Sequence, residues 1–327
     1  MSGATDWRPS APPEALKARA QLLGQIRAFF AEAGVLEVET PALSSAGSTD
    51  PALASLTTRY VGPLAAHGAT LYLQTSPEPA MKRLLAAGSG PIYQICRAFR
   101  DGERGRLHNP EFTLLEWYRP GWDHHRLMDE VAGLMRGLLG PGLHEERLTY
   151  GEAFARRLGI DPHNASPQQL QAVAVREGVP GADSIDLGTR DAWLDLLVTH
   201  CIEAGLGETG ICFLYDYPAT QAALSRVRVA APPVAERFEL YWRGVELANG
   251  FHELVEAAEQ RHRFEGDNAR RRAAGLPEVP VDERLLAALS AGLPDCAGVA
   301  LGVDRLLMLI LGAERIDDVL AFPLDRA

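Results

Sequence analysis

Arg100, His108 and Phe112 surround a polar loop that joins two strand-like runs of the sequence. The runs are PIYQICRAFR and EFTLLEWY, and the loop DGERGRLHNP between them predicts an antiparallel hairpin with a long, charged tip. Such a hairpin could hold a nucleotide, with Arg100 on the α-phosphate, His108 on the triphosphate and Phe112 stacked on the base. A surface hairpin with solvated charges is the simpler explanation when this feature is taken alone.

Two glutamates, Glu239 and Glu246, flank a tight turn in the run ERFELYWRGVELANG. If Arg243 and Gly244 form a two-residue turn, Tyr241 pairs with Glu246 and both glutamates lie on one face of a hairpin. Like charges on one strand face repel each other, and Mg²⁺ carrying the phosphates of ATP would offset this repulsion with oxygen ligands. The alternative is that both carboxylates face solvent.

The run AGVALGVDRLLMLILGA predicts a strand with spaced glycines, followed by an amphipathic helix. Glycines such as Gly298 and Gly302 permit close approach of the backbone to another group. Arg305 would lie in the first turn of the helix, where it could reach an anion near the helix N-terminus. A packed core strand followed by an exposed arginine is the alternative.

Histidines in two places resemble parts of metal sites without completing one. His252 and Glu253 begin the pattern H-E-x-x-H, but the closing position holds Glu256, which excludes a zinc-protease helix. His124 and His125 open a predicted helix, and we interpret them as a solvated helix start.

Helical periodicity and end signals place two further elements before the first hairpin. Apolar residues recur at helical spacing over residues 15–33, and residues 71–74 form a short apolar run typical of a strand. Directly after that run we expect a helix, with Ser76 as its N-cap, Pro77 at its first position and Glu78 in its first turn.

The order of the predicted elements indicates the α+β class. A helix, antiparallel strands, a mostly helical segment, further antiparallel strands and a final helix succeed one another, which differs from a doubly wound α/β pattern. We expect a disordered lead-in over residues 1–18 and a single catalytic domain over residues 19–327, with a helical insertion at about residues 123–233.

Composition favours a cytosolic enzyme. The chain has 327 residues with a formal net charge of −11, an acidic balance that argues against a dedicated nucleic-acid binder. No apolar run approaches the length of a membrane span, and the N-terminus lacks the apolar region of a secretion signal. The four cysteines form no C-x-x-C pair and have apolar neighbours, so we expect buried, reduced thiols.

Taken together, these pieces resemble the three motifs of class II aminoacyl-tRNA synthetases, in the order of that family. Residues 34–41 resemble motif 1, FRDGERGRLHNPEFTLLEWY resembles motif 2, and GVALGVDRL resembles motif 3. The strings HNPEF, EWY and ELANGFHEL are similar to lysyl-tRNA synthetases in particular. The resemblance extends from about Arg19 to the end of the sequence. It implies an antiparallel sheet flanked by helices, use of ATP with Mg²⁺, and a homodimer with Pro41 of motif 1 at the interface.

The sequence also departs from lysyl-tRNA synthetases. Those enzymes carry an N-terminal OB-fold domain, and residues 1–18 are too few to form one. Ala300 also replaces the glycine that is usual in their motif 3. Both features resemble the elongation factor P–(R)-β-lysine ligase family. The resemblance implies that (R)-β-lysine, or lysine, is activated with ATP and transferred to a lysine of elongation factor P. The acidic net charge and the missing OB-fold domain argue against tRNA as the acceptor. A minimal lysyl-tRNA synthetase acting on tRNA, and a non-catalytic paralogue that senses an amino acid, remain alternatives.

The resemblance also implies roles for individual residues. It assigns substrate binding to Ser76, Pro77, Glu78, Tyr118, Asn249, Glu253 and Ala300. It assigns ATP binding to Arg100, Asp101, Gly102, Glu103, His108, Asn109, Phe112, Glu246, Leu247, Gly302 and Arg305. Catalytic roles fall to Arg100 and Arg305, and Glu239 with Glu246 would hold Mg²⁺. Among the substrate-binding residues, Glu78 would receive the β-amino group, Tyr118 and Glu253 the ε-amino group, and Asn249 would orient the carboxylate end.

One position in motif 2 differs from the family pattern Arg-x-Glu. Gly102 stands where the family has a glutamate that contacts the adenine amino group, and Glu103 follows one place later. Because glycine frees the loop backbone, we expect a shifted loop in which Glu103 takes this role.

Overall fold

The computed structural model describes residues 7–63 and 65–327. Its α-helices are α1 Pro13–Glu32, α2 Glu78–Ala86, α3 His124–Leu139, α4 Tyr150–Leu158, α5 Pro167–Arg176, α6 Arg190–Leu197, α7 Ala257–Ala273, α8 Glu283–Gly292 and α9 Val303–Leu311. Its strands are β1 Leu36–Glu37, β2 Leu43–Ser44, β3 Thr57–Gly62, β4 Ala65–Leu73, β5 Ile92–Phe99, β6 Glu111–Pro120, β7 His144–Thr149, β8 Gly210–Pro218, β9 Val227–Arg228, β10 Val234–Trp242, β11 Val245–His252 and β12 Cys296–Gly302.

The described residues divide into two compact units. Those of Met1–Gly121, Val255–Cys296 and Ala300–Ala327 form the first unit, and Trp122–Leu254 with Ala297–Val299 form the second. Each unit combines helices with a sheet whose strand pairs are mostly antiparallel, which confirms the predicted α+β class. The single catalytic domain over residues 19–327 stays a prediction.

The predicted hairpin before and after the polar loop is confirmed in the first unit. Strands β5 and β6 pair antiparallel from Ile92 opposite Tyr118 to Phe99 opposite Glu111, so residues 100–110 form the connecting loop. Strand β1 pairs parallel to β5, and β2, β4 and β3 form a small separate sheet. Helices α2 and α8 bury an apolar core beside β5 that includes Met81.

The first helix begins earlier than the sequence analysis predicted. Residues 1–6 of the expected lead-in lie outside the described residues. Helix α1 starts at Pro13, so residues 13–18 are helical rather than part of a disordered lead-in. Proline has the backbone angle of a first helical turn and needs no hydrogen-bonded N–H there, which explains why this proline-rich stretch can open a helix.

The second unit contains the predicted glutamate hairpin in the predicted register. Strands β10 and β11 pair antiparallel, with Tyr241 opposite Glu246. Arg243 and Gly244 form the two-residue turn, with φ angles of 53° and 71°. Positive φ at both central residues is the geometry that matches the twist of a hairpin.

The segment expected to be a helical insertion is only partly helical. Residues 123–233 contain α3, α4, α5 and α6, but also β7, β8 and β9. Strand β8 pairs with both β10 and β7, so it lies inside the sheet of the second unit with its residues 210–214 buried. A short continuous apolar run such as Ile211–Leu214 does not distinguish a buried strand from a buried helix, which is why the sequence pattern missed this strand.

Burial of the cysteines follows the prediction. All four are free thiols; Cys201, Cys212 and Cys296 are buried and Cys96 is partly buried. Burial raises the pKa of Cys96 and of Cys212 to about 12, so both are unreactive near neutral pH. Among the described helices, none combines the length and the apolar character needed to traverse a bilayer.

Candidate active site

Arg100 lies at the base of the motif 2-like loop, against an aromatic ring. Its guanidinium carbon lies 4.9 Å from the centroid of the Phe112 ring. Its Nε donates to the Thr75 carbonyl at 3.5 Å. The side chain remains 28% exposed, so a cation is held in a fixed direction yet stays accessible to an anion.

Glu103 lies beside this arginine, although it comes one place later than the family pattern. Its Oε1 lies 3.5 Å from Nη1 of Arg100. The preceding Gly102 has φ of 77°, a left-handed conformation that a glycine adopts readily, and Asp101 is exposed, with its backbone N–H bonded to the Ala54 carbonyl at 2.9 Å. The left-handed glycine and the proximity of Glu103 to Arg100 support a shifted loop; the contact with adenine stays a prediction.

Arg305 and His108 contact each other directly. Nη2 of Arg305 lies 2.5 Å from Nε2 of His108, and Nε of Arg305 donates to the Leu107 carbonyl at 3.3 Å. Burial, and next the positive charge of Arg305, lower the pKa of His108. His108 is therefore neutral near pH 7 and accepts a hydrogen bond from Arg305, so the positive charge available for a phosphate at this position is that of Arg305.

Two C-terminal aspartates and a backbone amide bind the rest of the motif 2-like loop. Arg104 makes a two-pronged contact with Asp317 at 2.9 and 3.1 Å, and lies 2.5 Å from Asp325. The Asn109 amide accepts from the Leu324 N–H at 3.1 Å and donates at 2.7 Å to a carbonyl two residues on. The oxygen and the nitrogen of the Asn109 side-chain amide, which is predicted to bind ATP, thus both bond to backbone groups and hold the loop in shape.

Asp304, which precedes Arg305 in the first turn of α9, links three elements of the first unit. It is 1% exposed; one carboxylate oxygen accepts the Thr113 N–H of β6 at 2.6 Å, and the other pairs closely with Arg19 of α1. Gly302 occupies the cap position of the same helix. The sequence analysis did not identify Asp304, because its partners lie far away in sequence.

Helix α2 begins at Glu78, one residue later than predicted, because Pro77 rather than Ser76 is the N-cap residue. The Ser76 hydroxyl accepts from the Glu78 N–H at 3.4 Å. Nζ of Lys82 lies 2.5 Å from Oε1 of Glu78, and Lys82 is only 1% exposed. The sequence analysis missed this lysine, although an i,i+4 Glu–Lys spacing on a predicted helix was a signal for the pair.

Tyr118 lies next to a buried carboxylate on β6 that the sequence analysis also missed. Its hydroxyl donates to Oε1 of Glu116 at 2.7 Å, and both residues are 2% exposed. Residues two apart in a strand share a face, so the string EWY already contained this pair. A buried carboxylate needs charged or hydrogen-bonding partners, and an ammonium group of a ligand is one such partner.

Glu239 accepts hydrogen bonds from two buried tyrosines in the second unit. The hydroxyls of Tyr217 and Tyr241 each donate to its Oε2 at 2.6 Å, and Oε1 pairs closely with Arg237. Burial, and next the Glu239 charge, raise the pKa of both tyrosines well above the usual value. Both hydroxyls therefore keep their protons and remain donors to Glu239.

Arg237 connects Glu239 to Asn249, which lies opposite Glu239 on β11. Its Nε donates to Oδ1 of Asn249 at 3.2 Å, and its guanidinium lies 4.4 Å from the Tyr217 ring centroid. Burial alone would lower the pKa of Arg237, but the negative charge of Glu239, the largest opposing cause, helps to raise it. The predicted residues Glu239, Glu246 and Asn249 are thus brought together around an arginine that the sequence analysis did not single out.

The oxygen chemistry of this cluster fits Mg²⁺. An ionised carboxylate has about four acceptor positions, and three donors occupy Glu239, which leaves one position on Oε1 for a cation. Glu246 supplies a second, partly exposed carboxylate on the neighbouring strand. Mg²⁺ prefers few carboxylates together with phosphate oxygens and water, and two glutamates could supply the carboxylates.

The remaining predicted residues lie in or next to two strands. Strand β11 contains a β-bulge at Leu247. Its neighbours Glu246 and Ala248 pair with consecutive residues of β10, so Leu247 has no pairing partner on β10. Glu253, just after β11, is 1% exposed, and Ala300 is partly buried in β12.

Comparison with known proteins identifies the family of the chain. The family model "tRNA synthetases class II (D, K and N)" matches residues 3–326. Proteins named elongation factor P–(R)-β-lysine ligase are 54% identical in Edwardsiella ictaluri and 53% identical in Klebsiella pneumoniae and Pectobacterium carotovorum, each over 100% of both chains. This full-length match confirms the resemblance drawn from the three motifs: the chain belongs to the class II tRNA synthetase family.

Proposed function

We propose that this protein activates (R)-β-lysine with ATP as an aminoacyl-adenylate and transfers it to a lysine side chain of elongation factor P. The observation that carries the proposal is the 53–54% identity, over the whole of both chains, to proteins named for that ligase activity. Class II synthetases use ATP, and the charged residues that such a reaction needs are present. Retention of Arg100, Glu239, Glu246 and Arg305 argues against a non-catalytic paralogue.

In the first step, the substrate carboxylate attacks the α-phosphorus of ATP in line, and pyrophosphate leaves. Negative charge builds up on the α-phosphate oxygens during this attack. Arg100 is directed by Phe112 and the Thr75 carbonyl, and Arg305 by Leu107 and the neutral His108. Cations fixed before the reaction stabilise such charge without reorganisation during the step.

Substrate recognition rests on carboxylates for a doubly cationic amino acid. Lys82 occupies Oε1 of Glu78, which leaves Oε2 to accept the β-ammonium group. Tyr118 and Glu253, which are both buried, would receive the ε-ammonium group, and the Tyr118 hydroxyl also donates to the buried Glu116 carboxylate. Charge-assisted hydrogen bonds of this kind are strong in a low-dielectric environment, so they can select a substrate with two ammonium groups.

Glu239 and Glu246 would hold the Mg²⁺, and Asn249 and Glu253 would contact the amino acid. When bound, the ion would neutralise charge on the ATP phosphates. Tyr217, Tyr241 and Arg237 fix the Glu239 carboxylate in one orientation, so the ligand atom is in place beforehand.

In the second step, the amine of the acceptor lysine attacks the carbonyl carbon of the adenylate. The amide bond forms, the bond to phosphate breaks, AMP leaves, and the amine loses a proton to solvent. This step needs no nucleophile from the protein. A cytoplasmic location is part of the proposal. The four free thiols support it, because the cytoplasm keeps thiols reduced.

A homodimer is part of the proposal. Exposed apolar side chains near the motif 1-like segment support it: Leu36 is 57% exposed and Leu43 is 47% exposed. Exposed apolar residues that form a patch are typical of interaction surfaces, and these two lie seven positions apart in the sequence. Sedimentation of the purified protein tests this part separately from the reaction.

ATP–pyrophosphate exchange tests adenylation, with (R)-β-lysine, α-lysine or no amino acid. We expect exchange with (R)-β-lysine to exceed exchange with α-lysine, and mass spectrometry to show one β-lysyl group added to elongation factor P. Arg305→Met should abolish exchange, while Arg126→Met, at an exposed helical position, should retain it. A preference for α-lysine with charging of tRNA would instead support a lysyl-tRNA synthetase, and no exchange with either amino acid would support a sensor.

A further inference from the structure

A second group of possible metal ligands consists of residues other than the glutamates assigned to Mg²⁺. His124 is the first residue of α3, Glu236 lies on β10, and His252 is the last residue of β11, all within the second unit. One ligand atom from each of these three residues lies within 4.8 Å of the others. The sequence analysis placed His124 at a solvated helix start, but the side chain is 1% exposed, because α3 packs on β10 and β11.

His124 is the residue that most needs an explanation. Both of its ring nitrogens are buried, and neither has a hydrogen-bond partner among the described residues. Oδ1 of Asp216, 3.8 Å from Nε2 of His124, is likewise buried and lacks a hydrogen bond within that part of the chain. Leaving such polar atoms unsatisfied costs free energy, so native proteins nearly always provide a partner or an ion.

Glu236 and His252 already form a pair that suits a metal ion. Nδ1 of His252 lies 2.6 Å from Oε2 of Glu236. Arg228 contacts Asp216 at 2.6 Å and Glu236 at 3.6 Å. Two carboxylates and one guanidinium leave one net negative charge around two imidazoles, which favours binding of a cation over an anion.

We propose that His124, Glu236 and His252 bind a divalent transition-metal ion of the Zn²⁺ type. Imidazole nitrogens with one carboxylate select Zn²⁺ and its neighbours, whereas Mg²⁺ selects oxygen ligands alone. Tetrahedral Zn²⁺, with bonds of about 2.0 Å, needs ligand atoms roughly 3.3 Å apart. The three ligand atoms lie within 4.8 Å of one another, so side-chain rotations that move an atom by about 1.5 Å at most would complete the site. Three protein ligands leave a fourth position for water or for Oδ1 of Asp216.

The position of the site gives the ion a structural role. It joins the start of α3 to both strands of the hairpin that carries Glu239 and Glu246. An ion that binds only the folded chain stabilises it, so Zn²⁺ should raise the thermal transition of the protein.

Titration of the full-length, chelator-treated protein with Co²⁺ tests the proposal. Excess Mg²⁺, without ATP, fills the oxygen site and leaves imidazoles free. We expect one Co²⁺ per chain with visible ligand-field absorption, displacement by Zn²⁺, and a thermal transition several degrees higher with Zn²⁺. Glu236→Gln and His124→Gln should each weaken binding at least tenfold. His200→Gln, at an exposed position, should bind Co²⁺ like the unaltered protein.

Three results would overturn the proposal: no stoichiometric Co²⁺ binding, unchanged affinity in Glu236→Gln, or a thiolate-to-cobalt charge-transfer band that assigns the ion to cysteine. Circular dichroism without metal shows whether each variant is folded. His124→Gln alters a fully buried side chain, so Glu236→Gln decides the outcome if that variant does not fold. Glutamine at residue 236 keeps the size of the side chain and removes the negative charge.

Discussion

Substituting Asp304 by asparagine should destabilise the protein strongly, because this carboxylate compensates a cation and a backbone amide at once. Asparagine can still accept the Thr113 N–H bond, but its NH₂ group would face the donors of Arg19. Hydrogen bonds to charged groups contribute about 1.5–3 kcal/mol, and breaking a buried ion pair costs about 3–5 kcal/mol. Since the Arg19 side chain keeps 17% exposure, we expect the lower end, about 3 kcal/mol of unfolding free energy.

Urea denaturation of four proteins measures this effect: the unaltered chain, Asp304→Asn, Arg19→Met and the double variant. The double variant should recover at least about 1 kcal/mol relative to the sum of the single losses, because it removes the uncompensated cation. Below the unfolding transition, Asp304→Asn should also slow pyrophosphate exchange about tenfold or more, since Asp304 anchors the helical turn that carries Arg305. A loss below about 1 kcal/mol in Asp304→Asn, or strictly additive losses, would refute the reasoning.

Three further predictions concern the site residues. Burial and Arg305 lower the pKa of His108 below its usual 6.5, so the unfolded chain binds this proton more readily than the folded chain. The free energy of unfolding therefore falls as the pH drops below about 6.5, and His108→Gln should flatten that part of its pH dependence. Tyr241→Phe removes one of two donors to Oε2 of Glu239 and should cost about 1.5 kcal/mol of stability. Ala300→Gly should shift the ratio of pyrophosphate exchange rates toward α-lysine.

Each of these predictions has a matched measurement. Chemical denaturation of the unaltered protein and of His108→Gln, at about pH 7.5 and pH 5.5, separates the effect of this histidine from that of the others. If the unfolding free energy changes equally with pH in both proteins, the lowered pKa of His108 is contradicted. Adding Tyr217→Phe to Tyr241→Phe should lower the free energy of unfolding by more than Tyr241→Phe alone does, because Oε2 of Glu239 then has neither tyrosine donor. Equal losses from the first and the second substitution would argue against a shared acceptor. Unaltered relative rates in Ala300→Gly would show that the methyl group does not select the substrate.

Local signals in the sequence predicted much of what positions the site. The turn at Arg243 and Gly244 set the register of β10 and β11, and the polar loop before Phe112 marked the hairpin of β5 and β6. Both are hairpins, in which pairing follows from the turn and from alternation over a few residues. The class and the family followed from the order of these pieces.

Residues that depend on distant partners were not predictable in this way. Asp304 meets Arg19 across 285 positions, and no spacing rule extends so far. Tyr217 reaches Glu239 only because β8 lies beside β10, and the apolar run of β8 was not recognised as a strand. Tertiary pairing decided those positions, whereas local patterns decided the hairpins.

The partners of the loop after Arg100 have a consequence for synthesis of the chain. Arg104 binds Asp317 and Asp325, and Asn109 accepts from Leu324, so this early loop is held by residues translated more than 200 positions later. Chains emerge from the ribosome from their N-terminus, and early segments fold before late ones exist. The loop that is proposed to bind ATP therefore acquires these contacts only when residues 317–325 have left the ribosome. Until then, a nascent chain lacks the contacts that hold this loop in place.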